Sequence, residues 1–125
     1  MKRAIFITLI SCFTLLATAQ ETPLAAGWKA RRASEVPLDG RALTAEEPDL
    51  SGWMNATVPG TVLTTLLDNG MVPDPWLGMN NEEIPDISET GRDYYTFWFF
   101  TRFSSESLDS TRQVWLNFRG INYRA

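Results

Sequence analysis

Aromatic positions cluster most densely over Tyr94–Phe103, where ten residues in a row read as an extended segment. One face carries Tyr94, Thr96, Trp98, Phe100 and Arg102, and the other Tyr95, Phe97, Phe99, Thr101 and Phe103. Both faces are apolar, so the pattern predicts a strand covered on both sides rather than one with a wet face. Gln113–Phe118 predicts a further strand, with Val114, Leu116 and Phe118 inward and Trp115 and Asn117 opposite. The polar Ser104–Thr111 between them makes the pair an antiparallel hairpin. Trp28–Ser34 predicts a first short strand anchored by Trp28, and Trp53–Val58 a second, closed by Pro59-Gly60.

Only one stretch has helical spacing. Val62, Leu63, Leu66 and Leu67 fall on one face of Thr61–Asn69, with Gly60 or Thr61 to cap its start and Gly70 to close it in the left-handed region. At about nine residues this helix is too short to stand alone, so it plugs one end of a sheet. Glu35–Ser51 and Val72–Asp93 lack periodicity and are punctuated by Pro and Gly, which predicts two long loops. Four or five strands and a helix fall short of the seven or so that close a sandwich. The expectation is an incomplete all-β domain with an unpaired edge at its C-terminal end.

The start of the chain has another character. Lys2 and Arg3 precede a nearly unbroken apolar run, Ala4–Leu16, and then the small-x-small site Ala17-Thr18-Ala19. This is the pattern of an export signal, residues 1–19, and the run is too short for a membrane span. The rival reading takes Leu9-Ile10-Ser11-Cys12 as a lipoprotein box, with Cys12 as a lipid anchor, against which the continuing apolar Phe13–Leu16 argues. Residues 20–27 then read as a flexible mature terminus.

Composition narrows the chemistry. Loss of Lys2 and Arg3 leaves 9 basic residues against 15 acidic ones, a net charge of −6. Such a surface suits neither nucleic acid nor anionic membrane. There is no His, and Cys12 is the only Cys, so Ser-His-Asp catalysis, His or thiolate metal sites and disulfides are excluded after residue 19. No pattern calls for a cofactor or a metal, and any catalysis would run on carboxylates.

Several stretches together resemble the N-terminal domain of glycoside hydrolase family two, on the branch of the β-mannosidase and exo-β-glucosaminidase-like proteins. They are Trp28; Val58-Pro59-Gly60-Thr61-Val62; Asp74-Pro75-Trp76 with Gly78-Met79-Asn80-Asn81-Glu82; Asp93-Tyr94-Tyr95 with Trp98-Phe99; and Leu116-x-Phe118-x-Gly120-Ile121. The resemblance runs from Trp28 to Ala125. It implies a galactose-binding-like jelly-roll β-sandwich at 28–125, at the front of a longer exported enzyme. It also implies that the final strands, and a (β/α)8 barrel bearing two catalytic glutamates, lie beyond this chain. The carbohydrate would be bound through that barrel, which would also be the domain's intramolecular partner. The rival expectations are a free-standing carbohydrate-binding module and a gene remnant.

Within that frame the loop Asp74–Ile84 is the one that reaches the substrate pocket. Asn80, Asn81 and Glu82 offer amide and carboxylate groups to sugar hydroxyls, or form a turn that merely suits tight backbone geometry. Trp76 either stacks on a pyranose face or packs on the helix or barrel, packing being the commoner use of a Trp. Glu82 and Glu83 make a poor catalytic pair, since neighbours on an extended loop diverge and a retaining pair stands about 5–5.5 Å apart. Asp86, Glu89 and Asp93 are expected to be solvated. Arg92, Asp93 and Arg119 are expected to serve as salt-bridge partners, Arg119 within the hairpin.

Overall fold

The computed structural model describes residues 21–45, 47–104 and 113–121. Its centre is a three-stranded antiparallel sheet in the order β2-β1-β3, built from β1 (Lys29–Arg32), β2 (Met54–Asn55) and β3 (Phe97–Phe100). β1 pairs with β3 over four residues, Lys29 opposite Phe100 and Arg32 opposite Phe97, and with β2 over two. Cross-strand partners share a face. Lys29, Arg31, Trp98 and Phe100 therefore lie on one face, and Ala30, Arg32, Phe97 and Phe99 on the other.

The helix expected at Thr61–Asn69 forms as Val62–Asp68, here α2. The Thr61 hydroxyl accepts the Thr64 N–H at 3.1 Å, satisfying one of the first turn's open donors. Gly70, at φ +66°, donates to the Leu67 carbonyl, and Met71 to the Leu66 carbonyl, both at 2.9 Å. This paired closure is the Schellman arrangement, and it requires the left-handed residue that Gly70 supplies. The inward side differs slightly from the expectation: Thr65 and Leu66 are the buried pair, with Val62, Leu63 and Leu67 half-buried. α2 is tied to the end of the sheet. Asn69 Nδ2 donates to the Asn55 carbonyl at 2.8 Å, the Thr57 N–H to Thr65 Oγ1 at 3.3 Å, and the Thr57 hydroxyl to Asp68. That last bond gives Asp68 a use that its place at the negative end of the helix obscured.

The loop expected at Glu35–Ser51 contains a helix, α1 (Gly40–Ala45). Asp39 starts it: its carboxylate accepts the Ala42 N–H at 2.8 Å, and its carbonyl accepts the Leu43 N–H at 2.9 Å. The helix lies on the Trp98 side of the sheet, so close that a Cβ on Gly40 would meet the indole at 3.2 Å. Leu43 is buried there, and Trp53 meets Phe100 edge-on at 6.2 Å between centroids. On the opposite face Ala30 is wholly buried. The Arg32 guanidinium lies 3.9 Å over the Tyr94 ring, and its Nε is buried without a hydrogen-bond partner.

The aromatic strand is shorter than its sequence. Arg92–Tyr95 form a 3-10 turn, and only Phe97–Phe100 join the ladder. The Tyr95 hydroxyl bonds the Pro85 carbonyl, the Tyr94 and Tyr95 rings meet edge-on at 4.9 Å, and the Thr96 N–H turns back to Asp93. At the other end β1 begins at Lys29, so among the described residues no ladder partner faces Thr101–Phe103. The strand expected at Gln113–Phe118 is not formed. Val114, Leu116 and Phe118, expected inward, are exposed, as is Trp115. An alternating pattern makes a strand only when a neighbouring strand accepts its backbone bonds, and β3 keeps its outer edge unpaired among the described residues. Accordingly Arg119 pairs not across a hairpin but with Glu21, at 2.9 Å. Arg92 and Asp93 are exposed and take part in none of the ion pairs of the described residues. The export signal, residues 1–19, lies outside the described residues.

Candidate functional site

The segment Asp74–Ile84 is organised by its first residue. The Asp74 carboxylate accepts the Trp76 N–H at 2.9 Å. Its carbonyl accepts both the Leu77 N–H at 3.2 Å and Asn80 Nδ2 at 3.0 Å. Asn80 then donates its own N–H to the Leu77 carbonyl at 3.1 Å, and Asn80–Glu83 continue as a 3-10 turn. An Asp before Pro, bonding the backbone two residues on, is a turn-forming device. Sequence reading placed the loop but missed Asp74 as its organiser, although Asp-Pro was the available signal.

The four candidate residues separate on this scaffold. Asn80 is half-buried and faces inward, spending its amide on Asp74. Asn81 and Glu82 are exposed on the turn that follows. Trp76 is 90 % exposed and does not pack on α2, so that half of the packing expectation fails. Leu77 and Met79 are exposed beside it. The exposed part of the loop is thus a crest, apolar at Trp76–Met79 and polar at Asn81–Glu82.

Concave surface lies elsewhere. A groove of about 480 Å³ runs between α1 and the end of β3, crossed by the Arg102–Glu47 ion pair at 3.2 Å. A cleft of about 130 Å³ lies beside Arg31, Glu35 and Asp49. None of the four candidates lines either.

Among the carboxylates of this region, Asp74 and Asp86 are engaged in local hydrogen bonds. Glu82, Glu83 and Glu89 are exposed, whereas a glycosidase general acid sits in a buried, apolar setting. Asp86 caps α3 (Ile87–Thr90) through the Ser88 N–H at 2.7 Å, and the hydrogen bonds of Ser88 hold its carboxyl below the usual range. Asp49 is lowered in the same way, first by the Ser51 hydroxyl at 2.6 Å and then by its N–H at 2.8 Å. Tyr95 is raised, chiefly by burial. Among the described residues no group of three acidic, His or Cys side chains is set to hold a metal ion.

Residues 28–125 match the family described as glycosyl hydrolase 2 galactose-binding domain-like. The chain belongs to this family. It is 53 % identical over 106 residues to the mannosylglycoprotein endo-beta-mannosidase of Lilium longiflorum, an alignment covering 82 % of this chain. It is 27 % identical over 108 residues to the exo-beta-D-glucosaminidase of Streptomyces avermitilis, covering 86 % of this chain. Each alignment spans 11 % of the relative's length. No solved structure gives a significant match. The family assignment agrees with the branch expected from the residues, and the mostly-β character of a galactose-binding-like domain agrees with the central antiparallel sheet.

Proposed function

We propose that this chain is the non-catalytic domain of an exported glycosidase that hydrolyses β-linked mannosides or glucosaminides with retention. The observation that carries the reading is the 53 % identity to a protein named as an endo-beta-mannosidase, across most of this chain. The 27 % relative, named as an exo-beta-D-glucosaminidase, supports the same class of reaction. In such an enzyme two carboxyl groups about 5–5.5 Å apart serve as nucleophile and acid/base. Here they belong to a barrel outside this chain. The exposure of Glu82, Glu83 and Glu89 supports that division.

The domain's part is to support the barrel and to place the Asp74–Ile84 loop at the rim of the substrate pocket. Asn81 and Glu82 supply hydrogen bonds to sugar hydroxyls, and Asn80 holds the turn that presents them. An exposed loop that lines no pocket of its own completes one only against a second wall, which the barrel provides. Export to the periplasm or exterior rests on Lys2-Arg3, the apolar Ala4–Leu16 and Ala17-Thr18-Ala19.

The complete gene product, expressed and assayed on p-nitrophenyl β-mannoside and p-nitrophenyl β-glucosaminide, tests this. Hydrolysis of one of them, with the β-anomer released first in a proton NMR time course, is expected. Absence of hydrolysis of both, or first release of the α-anomer, contradicts the reading.

A further inference from the structure

Trp76, Leu77 and Met79 are all more than 60 % exposed, within four residues of one loop. Exposed large apolar side chains that cluster mark a contact surface rather than ordinary surface scatter. Trp76 is the extreme case at 90 %, on a backbone that the Asp74 hydrogen bonds hold in place. An open indole face beside hydrogen-bonding groups is the arrangement that receives a pyranose: the ring's apolar face stacks and its hydroxyls bond laterally.

We propose that Trp76 is a specificity-determining residue that stacks on a sugar unit beyond the hydrolysed bond, so that the whole enzyme selects oligosaccharides over glycosides with a short aglycone. The inference rests on the preceding reading, in which this loop borders the substrate pocket. Asn81 and Glu82 follow Trp76 by five and six residues, on the 3-10 segment Asn80–Glu83. A sugar bonded to those groups in the pocket leaves the next unit over the Trp76–Met79 crest. The two ends of the loop thus divide the work, the polar end orienting one sugar and the indole holding its neighbour. Stacking needs a flat ring face and no particular hydroxyl, so it rewards chain length more than sugar identity.

The test compares two substrates of the complete gene product. One is the methyl β-glycoside of whichever sugar the wild type hydrolyses, which offers Trp76 no ring. The other is the β-linked tetrasaccharide of the same sugar. Trp76→Ala is expected to lower kcat/KM on the tetrasaccharide roughly tenfold and to leave the methyl glycoside within about twofold, with Tm unchanged. Trp76→Phe, which keeps a flat ring, is expected to recover most of the loss. An equal fall on both substrates with a lowered Tm places Trp76 in packing against another part of the protein and overturns the inference. Unchanged kinetics on both substrates overturns it too. A wild type inactive on both contradicts the underlying function instead, and is recognised before any variant is made.

Discussion

Asp74 carries more of the loop than any other side chain, because one carboxylate and one carbonyl hold Trp76, Leu77 and Asn80 together. Asp74→Ala removes the side-chain acceptor, and amide exchange at Trp76 is expected to quicken while that in α2 stays slow. Uniform exchange across both would show that Asp74 does not act locally. Asp49 supports a statement about pH. Hydrogen bonds from Ser51 stabilise its charged form, so its folded pKa lies below its unfolded one. The linked stability is present above the unfolded value and is lost as pH falls through the folded one. A carbon-detected NMR titration of Asp49 is expected to show a midpoint below the ordinary aspartate value, and Ser51→Ala to raise it.

Helix α2 depends on its two ends. Thr61→Ala removes the cap bond to Thr64 and is expected to cost about 1 kcal/mol in a denaturant titration of the complete protein. Gly70→Ala puts a Cβ at φ +66° and is expected to cost about 1 kcal/mol as well. No loss in either variant would mean that tertiary contacts, not caps, set this helix. α2 was legible in the sequence because its apolar spacing and both caps agree. α1 was not: six residues are too few for periodicity, and its signals were Asp39 at the cap and the helix-favouring Ala42, Leu43 and Ala45. β3 was legible in kind but not in extent. Ten apolar-rich residues read as strand, yet pairing is set by the partner, and β1 offers four positions. Gln113–Phe118 failed for the same physical reason, since alternation records what a strand would need and not whether a neighbour is present. The loop was legible through its Asn and Pro residues. The inward turn of Asn80 and the exposure of Trp76 were not, because both follow from the hydrogen bonds of Asp74.

Among the described residues, Trp76, Leu77 and Met79 and the run Val114–Phe118 are exposed, and the outer edge of β3 is unpaired. Under the proposed function, the Val114–Phe118 run and the open edge of β3 are surfaces that the rest of the enzyme covers. Among the described residues no helix is long and apolar enough to cross a membrane. In the proposed account the exported protein begins at Gln20, and intact-mass measurement of the secreted form is expected to place the cut after Ala19. A diacylglycerol-bearing terminus at Cys12 would place the cut before Cys12 instead and make the protein lipid-anchored. The central claim, that this non-catalytic domain lends its loop to the substrate pocket, is tested most directly by the steady-state kinetics of the Asn81→Ala/Glu82→Ala variant of the complete gene product. Loss of two hydrogen bonds to substrate, each worth about 1 kcal/mol, predicts a fall in kcat/KM of roughly tenfold or more with an unaltered Tm. Kinetics equal to those of the wild type would show that the loop lies away from the pocket and contradict the account.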